Sequence, residues 1–253
     1  MELGLSGNRT RLRTLHQAGC LKLRFPRHGD GRSEAIAINT SGGLTGGDRL
    51  TYELALGADA AATMTTQACE RVYRSCGGDA VLKTTLRIGA GASLAYLPQE
   101  TILFDGGRLS RTLEVEADAT SRFMLIEPVI LGREMMGERI ETGALRDRWR
   151  IRVDGRLVFA DDLSLCGRSS QLIDERAALD GARAFATVLL KGETAEAQLD
   201  AARRIVGDAG GASLMDGLLV VRLVEKSGFR LRKRLVPLLE TLGEAPLPLV
   251  WSL

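Results

Sequence analysis

The feature that most constrains this chain is a long stretch of short apolar–polar alternations, repeatedly cut by glycine turns. Within it Leu50, Tyr52, Leu54 and Leu56 alternate with Thr51, Glu53 and Ala55, the period of a strand with one face buried. Runs at 81–88, 93–97, 110–117, 122–131, 149–153 and 157–163 continue the pattern. Gly77-Gly78, Gly89-Ala90-Gly91, Asp105-Gly106-Gly107 and Asp154-Gly155 punctuate them. Asp154-Gly155 predicts a two-residue hairpin. No fold dominated by helices can be written on such a pattern.

Helical spacing appears only late. Thr194 is expected to cap a helix whose Ala195, Leu199, Ala202 and Val206 share one face and which Gly207 ends. A second helix is predicted over 229–242, kinked or restarted at Pro237, with a strand at 218–223 between the two. No Pro- or Ser-rich linker and no internal repeat stands out. The expectation is one mainly β domain over residues 1–253 with a mixed α/β C-terminal part.

Apolar residues make up 45% of the chain and aromatics only 4%, so a sizeable core must be built from Leu, Ile, Val and Ala. Net charge is only +2, from 34 basic and 32 acidic residues. Basic residues cluster at Arg9, Arg11 and Arg13 and at Arg230, Arg232, Lys233 and Arg234, without the interleaved aromatics of a nucleic-acid groove. Solvated faces or partner contacts are expected there, and no nucleic-acid partner. The start, MELGLSGNRT, has no apolar signal region, and no run approaches membrane-spanning length. A cytoplasmic protein follows, with no membrane partner. Cys20, Cys69, Cys76 and Cys166 are then reduced thiols, and they contain no CxxC pair for structural zinc.

NTSGGLTGGDRL (39–50) is the strongest local signal. Gly42 and Gly47 stand at the spacing of a phosphate loop, but Asp48 occupies the place of the phosphate-binding lysine, and a carboxylate there repels nucleotide. What remains is either compact turns built on positive φ angles or a tight loop that presents Asp48 at a fixed place. Enzyme chemistry finds poor material. His16 and His28 are the only histidines, no GxSxG elbow is present, and a Cys–His pair such as Cys20 with His16 is less expected than a buried thiol and a surface imidazole. Carboxylate pairs for a hydrolase could be drawn from Glu100, Asp105, Glu127 and Glu138.

Taken in order, NTSGGLTGGDRL, TTQACERVYRS (65–75), LAYLPQETILFD (94–105) and LGREMMGE (131–138) resemble blocks of the urease accessory protein UreD (UreH) family. WRIRVDGRLVFADDL (149–163) and the closing PLVW (248–251) are similar to its later blocks. The resemblance implies a helicoid-like stack of β-sheet with a pair of α-helices in the C-terminal part. It implies a non-catalytic metallochaperone scaffold that acts with UreF and, through UreF, with the GTPase UreG to load nickel into apo-urease. Position by position it places the polar residues of an internal nickel route on Asp48, Glu70, Glu127 and Asp161. Glu70 departs in type, since some members carry a small hydroxyl residue there.

The ligand chemistry fits a conduit better than a store. Nickel binds imidazole and thiolate tightly, whereas carboxylates let a partly hydrated Ni(2+) pass without trapping it. No permanently bound cofactor is expected. Glu127 sits after the apolar run Phe123–Ile126, where a carboxylate needs a partner, and Arg133 is the expected ion-pair alternative to a metal role. A pure interaction scaffold without metal passage and a carboxylate-based hydrolase are the two rival readings.

Overall fold

The computed structural model describes residues 1–27, 31–133, 136–167 and 169–252. After a hairpin of β1 (Glu2–Ser6) and β2 (Arg9–Thr14), the chain passes through β3 (Leu21–Arg24) and β4 (Ser33–Asn39) and begins to coil. Each coil lays a strand in one sheet and then a strand in a second. β5 (Arg49–Leu56) enters the first sheet, and β6 (Ala61–Thr66) and the short β7 (Glu70–Val72) the second. β8 (Ala80–Ile88) returns to the first, and β9 (Ser93–Leu97) and β10 (Thr101–Leu103) to the second. β11 (Arg108–Ala117), β12 (Arg122–Leu131) and β13 (Gly143–Val153) repeat the alternation.

The winding then stops. β14 (Arg156–Gly167) folds back on β13, and after α1 (Ser169–Asp174) β15 (Ala184–Lys191) joins the second sheet antiparallel to β12. α2 (Leu199–Val206), β16 (Gly210–Met215), β17 (Leu218–Glu225) and α3 (Gly228–Leu242) complete the fold. Among the described residues the first sheet runs β14-β13-β11-β8-β5-β1-β2. The second runs β16-β17-β15-β12-β9-β6-β4-β3, with β10 and β7 at its side. β5, β8, β11 and β13 are parallel, as are β4, β6, β9 and β12.

The mainly β stack with two C-terminal helices is therefore as expected, and 93–97 and 122–131 match β9 and β12 end to end. Asp154 (φ 49°) and Gly155 (φ 75°) both take the left-handed conformation of a type I′ turn between β13 and β14. Three expectations are corrected. Thr194 does not cap α2: its carbonyl accepts from Gln198 N one turn before the helix, which begins at Leu199 with Gln198 as its N-cap. α3 neither restarts nor breaks at Pro237, which stands on the exposed face. The absence of an internal repeat in the sequence hid a repeating coil, because only inward–outward alternation recurs from coil to coil.

Ser227 caps α3, accepting from Arg230 N, and Leu231, Leu235, Leu238, Leu239 and Leu242 bury its inner stripe against β12, β15 and β17. Each such leucine contributes on the order of 1.5–3 kcal/mol. Leu235→Ala alone would remove about 2–5 kcal/mol. The two main helices thus cover the outer face of the second sheet. No helix among the described residues is long and apolar enough to cross a membrane.

Candidate functional site

β12 shows what its alternation builds. Met124, Ile126 and Ile130 turn toward the helices, while Phe123, Leu125, Glu127, Val129 and Leu131 turn toward the first sheet. Glu127 interrupts an otherwise apolar inward row, and its neighbours do the same. Leu109, Arg111 and Leu113 on β11, Leu145, Asp147 and Trp149 on β13, and Phe185, Thr187 and Leu189 on β15 each place one polar residue between two apolar ones. One apolar cluster, with Leu54, Leu86, Leu113, Leu125 and Trp149, lies on one side of this level. Another, with Leu50, Leu82, Leu109, Val129 and Leu145, lies on the other. A polar seam crosses the inter-sheet core between them.

Arg111 is the centre of the seam. It is 1% exposed, donates to Asp147 through Nε (3.1 Å) and Nη2 (2.5 Å), and reaches Glu127 Oε2 (2.5 Å) and Thr101 Oγ1 (3.2 Å) through Nη1. Tyr96 OH donates to Glu127 Oε1 at 3.4 Å and lies 3.3 Å from Thr84 Oγ1. Burial pushes the Glu127 carboxyl up to about 7 against the pull of Arg111, and the charge on Asp147 adds to the rise. Asp147 and Glu127 hold the Arg111 proton more firmly than usual although burial opposes it. One guanidinium faces two carboxylates, so the triad carries a surplus negative charge when both are ionised. Arg133, the expected partner of Glu127, instead binds Glu138 (2.9 Å) and lies over the Phe104 ring.

At one end the seam meets the sequence motifs. Leu44 N donates to Arg71 O, and Tyr73 N to Leu44 O, so the glycine-rich loop docks on the ERVYRS segment. A side chain at Gly43 would strike the Tyr73 ring, at 2.4 Å, which explains that glycine. Asp48 Oδ2 accepts from Thr45 N (2.8 Å) and thereby fixes its own loop. Asn39 Nδ2 donates to both Glu70 oxygens at 3.1 and 3.2 Å. Burial raises the Glu70 pKa, the Asn39 bond opposes this, and the charge on Asp48 adds to it. A recess of about 130 Å³ is lined by Asn39, Glu70, Arg71 and Tyr52. Tyr52 also lines a cleft of about 460 Å³ with His16 and Cys20. Burial pushes its phenol above the ordinary range, and Glu70, Cys20 and Glu127 lie near enough to add to this. Tyr52 packs against both apolar clusters that flank the seam.

Asp161 lies at the opposite flank. It accepts from Arg222 Nη2 at 2.8 Å. Arg222 pairs in register with Thr187, and Thr187 with Glu127, so the three share one face of adjacent strands. The structure thus gathers Asp48 and Glu70 at one end, sets Glu127 in the middle and ties Asp161 to the far side through Arg222. Sequence reasoning missed Arg111, Asp147, Tyr96 and Tyr52. The available signal was a lone polar residue at an inward position of a strand.

Each carboxylate offered for a hydrolase is paired with an arginine, Glu127 with Arg111 as above. Glu100 binds Arg232 (3.0 Å), Asp105 binds Arg74, and Glu138 binds Arg133. Cys20, Cys69, Cys76 and Cys166 are free thiols, and His28 lies outside the described residues. Among the described residues no three His, Cys, Asp or Glu side chains are gathered as metal ligands. The C-terminal basic cluster also departs from expectation. Arg232 binds Glu100, Gln99 and Trp251 O, and Arg234 binds Glu225 (2.7 Å), Asp208 (2.6 Å) and Val206 O, so both hold the fold rather than a solvated face.

Coil and seam together define a β-stack protein with a row of paired charged side chains in its core. The chain belongs to the UreD urease accessory protein family, whose family model matches residues 1–252. It is 49% identical over 251 residues to the urease accessory protein UreD of Rhizobium leguminosarum bv. viciae, covering 98% of this chain and 92% of that one. It is 48% identical to UreD of Agrobacterium fabrum (strain C58), covering 97% and 87%, and 46% identical to that of Chelativorans sp. (strain BNC1), covering 100% and 92%. Its role accordingly lies in urease maturation.

Proposed function

We propose that this chain is a cytoplasmic, non-catalytic scaffold and conduit that works with UreF and UreG in the GTP-dependent delivery of nickel to apo-urease. Asp48, Glu70, Glu127 and Asp161 mark its internal route, and Ni(2+) is cargo rather than a resident cofactor. The observation that supports this reading is the buried polar seam, in which Glu127 and Asp147 meet Arg111 and the register Glu127–Thr187–Arg222 leads to Asp161, with Asp48 and Glu70 at the glycine-rich loop. A carboxylate-rich seam with surplus negative charge attracts a divalent cation, yet its oxygen ligands hold nickel less tightly than imidazole or thiolate would. Passage past Glu127 requires the cation to compete with Arg111 for the carboxylate. Exchange of partners at that point meters the transit.

The rival, a pure interaction scaffold, draws on one observation, that Glu127 is already satisfied by Arg111. The two readings separate on Glu127→Leu with Asp161→Leu. Arg111 keeps Asp147, and Arg222 is about half exposed to water, so neither substitution strands a buried cation. The conduit reading expects lost urease activation in cells while UreF, UreG and apo-urease still co-purify. Normal activation at native expression level refutes it, and lost assembly supports the scaffold reading.

A further inference from the structure

Among the described residues α2 and α3 pack on the second sheet, while α1 meets the first sheet at β14. β13 places Arg146, Arg148, Arg150 and Arg152 on the first sheet's outer face, while Leu145, Asp147, Trp149 and Ile151 point inward. The carboxylates around this stripe are too few. Asp79 binds both Arg108 (2.7 Å) and Arg146 (2.7 Å). Asp162 binds Arg150 (2.5 Å) and lies 3.8 Å from Arg148. Arg152 reaches Glu116 at 3.4 Å, and Glu114, the register neighbour of Arg150, is taken by Lys83. Five arginines therefore share three carboxylates, and the local excess equals the net charge of the whole chain, +2.

A face kept only for solubility intersperses both signs and favours the strongly hydrated lysine. Arginine is more weakly hydrated and presents a planar fork of donors that fits a carboxylate in two places. Arg146, Arg148 and Arg152 each meet a shared acid and stay 50%, 58% and 38% exposed, whereas Arg150 is 18% exposed and spends Nη1 on backbone carbonyls. Asp79 and Asp162 also hold these forks still, which lowers the ordering cost when a second carboxylate arrives. β13 is held on both sides, by β11 in parallel register and by β14 in an antiparallel pairing with one bulge at Ile151/Arg152, which fixes the stripe in the sheet.

We infer that this arginine-striped face docks a carboxylate-rich surface of the urease apoprotein, an inference that rests on the proposed role in urease maturation. The seam and the stripe share β13 but use opposite faces, so docking here brings the far flank of the seam, at Asp161 on β14, beside the partner.

The test uses the full chain, co-purified with UreF, against apo-urease in a biosensor at a series of salt concentrations. Arg146→Ser, Arg148→Ser and Arg152→Ser are combined, and Arg150 is left because it also donates to the carbonyls of Trp149 and Asp161. The expected result is an affinity weakened roughly tenfold or more with a flattened salt dependence, at unchanged thermal stability and UreF binding. Wild-type affinity and salt slope overturn the inference. So does loss of duplex DNA binding with urease binding intact, which would assign the stripe to nucleic acid. Should the triple variant misfold, Arg148→Glu decides alone, with several-fold weaker binding expected and no change refuting. A wild-type complex that does not bind apo-urease at all refutes the proposed function itself, a result distinguishable from failure of the stripe.

Discussion

Removing Arg111 is the sharpest perturbation of the seam. Arg111→Met keeps much of the side-chain volume but strips from Glu127 and Asp147, which are 4% and 7% exposed, the cation both are paired with among the described residues. Breaking a buried pair by deleting one partner costs about 3–5 kcal/mol, because the remaining charge has neither water nor counter-ion. For a chain of this size that corresponds to a fall in Tm of roughly 6–20 °C. The loss should depend on pH. Without the guanidinium, Glu127 loses the positive charge that pulls its folded-state pKa down, so that value stays above the unfolded one. The penalty is then full above the raised value and shrinks as pH falls toward the ordinary carboxylate range, where protonation neutralises the group. Wild-type Glu127, already pushed up to about 7 by burial, shows the direction. The matched control is Arg111→Met with Glu127→Leu and Asp147→Leu, which replaces the whole triad by apolar groups and should recover most of the stability. Urea and thermal melts at acidic and alkaline pH provide the measurement. A single variant within about 1 kcal/mol of wild type, or a triple variant as unstable as the single, would refute the reasoning.

Alkylation should separate the cysteines. Cys76 is exposed and should label first, whereas Cys69, half-buried with its thiol pushed up to about 12 by burial and Glu100, stays protonated at pH 8 and should label only on unfolding; mass spectrometry that finds equal rates contradicts this. Arg232→Glu should lower stability by more than about 2 kcal/mol by putting a carboxylate against Glu100, while exposed Lys233→Glu stays within about 0.5 kcal/mol, as judged by thermal melts. Gly155→Val, forced into a positive φ at the β13–β14 turn, should cost about 1–3 kcal/mol by the same assay. GTP and ATP should show no binding to the isolated chain in calorimetry, because Asp48 fixes the glycine loop where a phosphate loop needs lysine.

Much of this fold was legible because it rests on local signals. Alternation located the strands at 93–97 and 122–131 end to end, and Asp154-Gly155 announced its hairpin. β15 escaped because AFATVLLK, apolar but for Thr187 and the terminal Lys191, is buried on both faces between β12 and β17 and so lacks a clear period. The site was legible as residue types and not as partnerships. Glu127 stood out among apolar neighbours, but its partner comes from β11 of the facing sheet, a pairing set by coil stacking that no local spacing encodes. Arg133 was the natural local choice and lost to Glu138, only five residues away. The arginine stripe was open to the same alternation rule that found the strands, since Arg146, Arg148, Arg150 and Arg152 are spaced by two.

The central claim is that nickel passes through the seam, and transfer of nickel itself tests it most directly. Apo-urease would be incubated with the nickel-loaded partner GTPase, UreF and either wild-type chain or the Glu127→Leu, Asp161→Leu variant, and the metal in re-isolated urease measured by mass spectrometry. The account predicts that the variant assembles the same complex but leaves urease with a small fraction of the wild-type nickel. Equal nickel content at equal complex formation would contradict it.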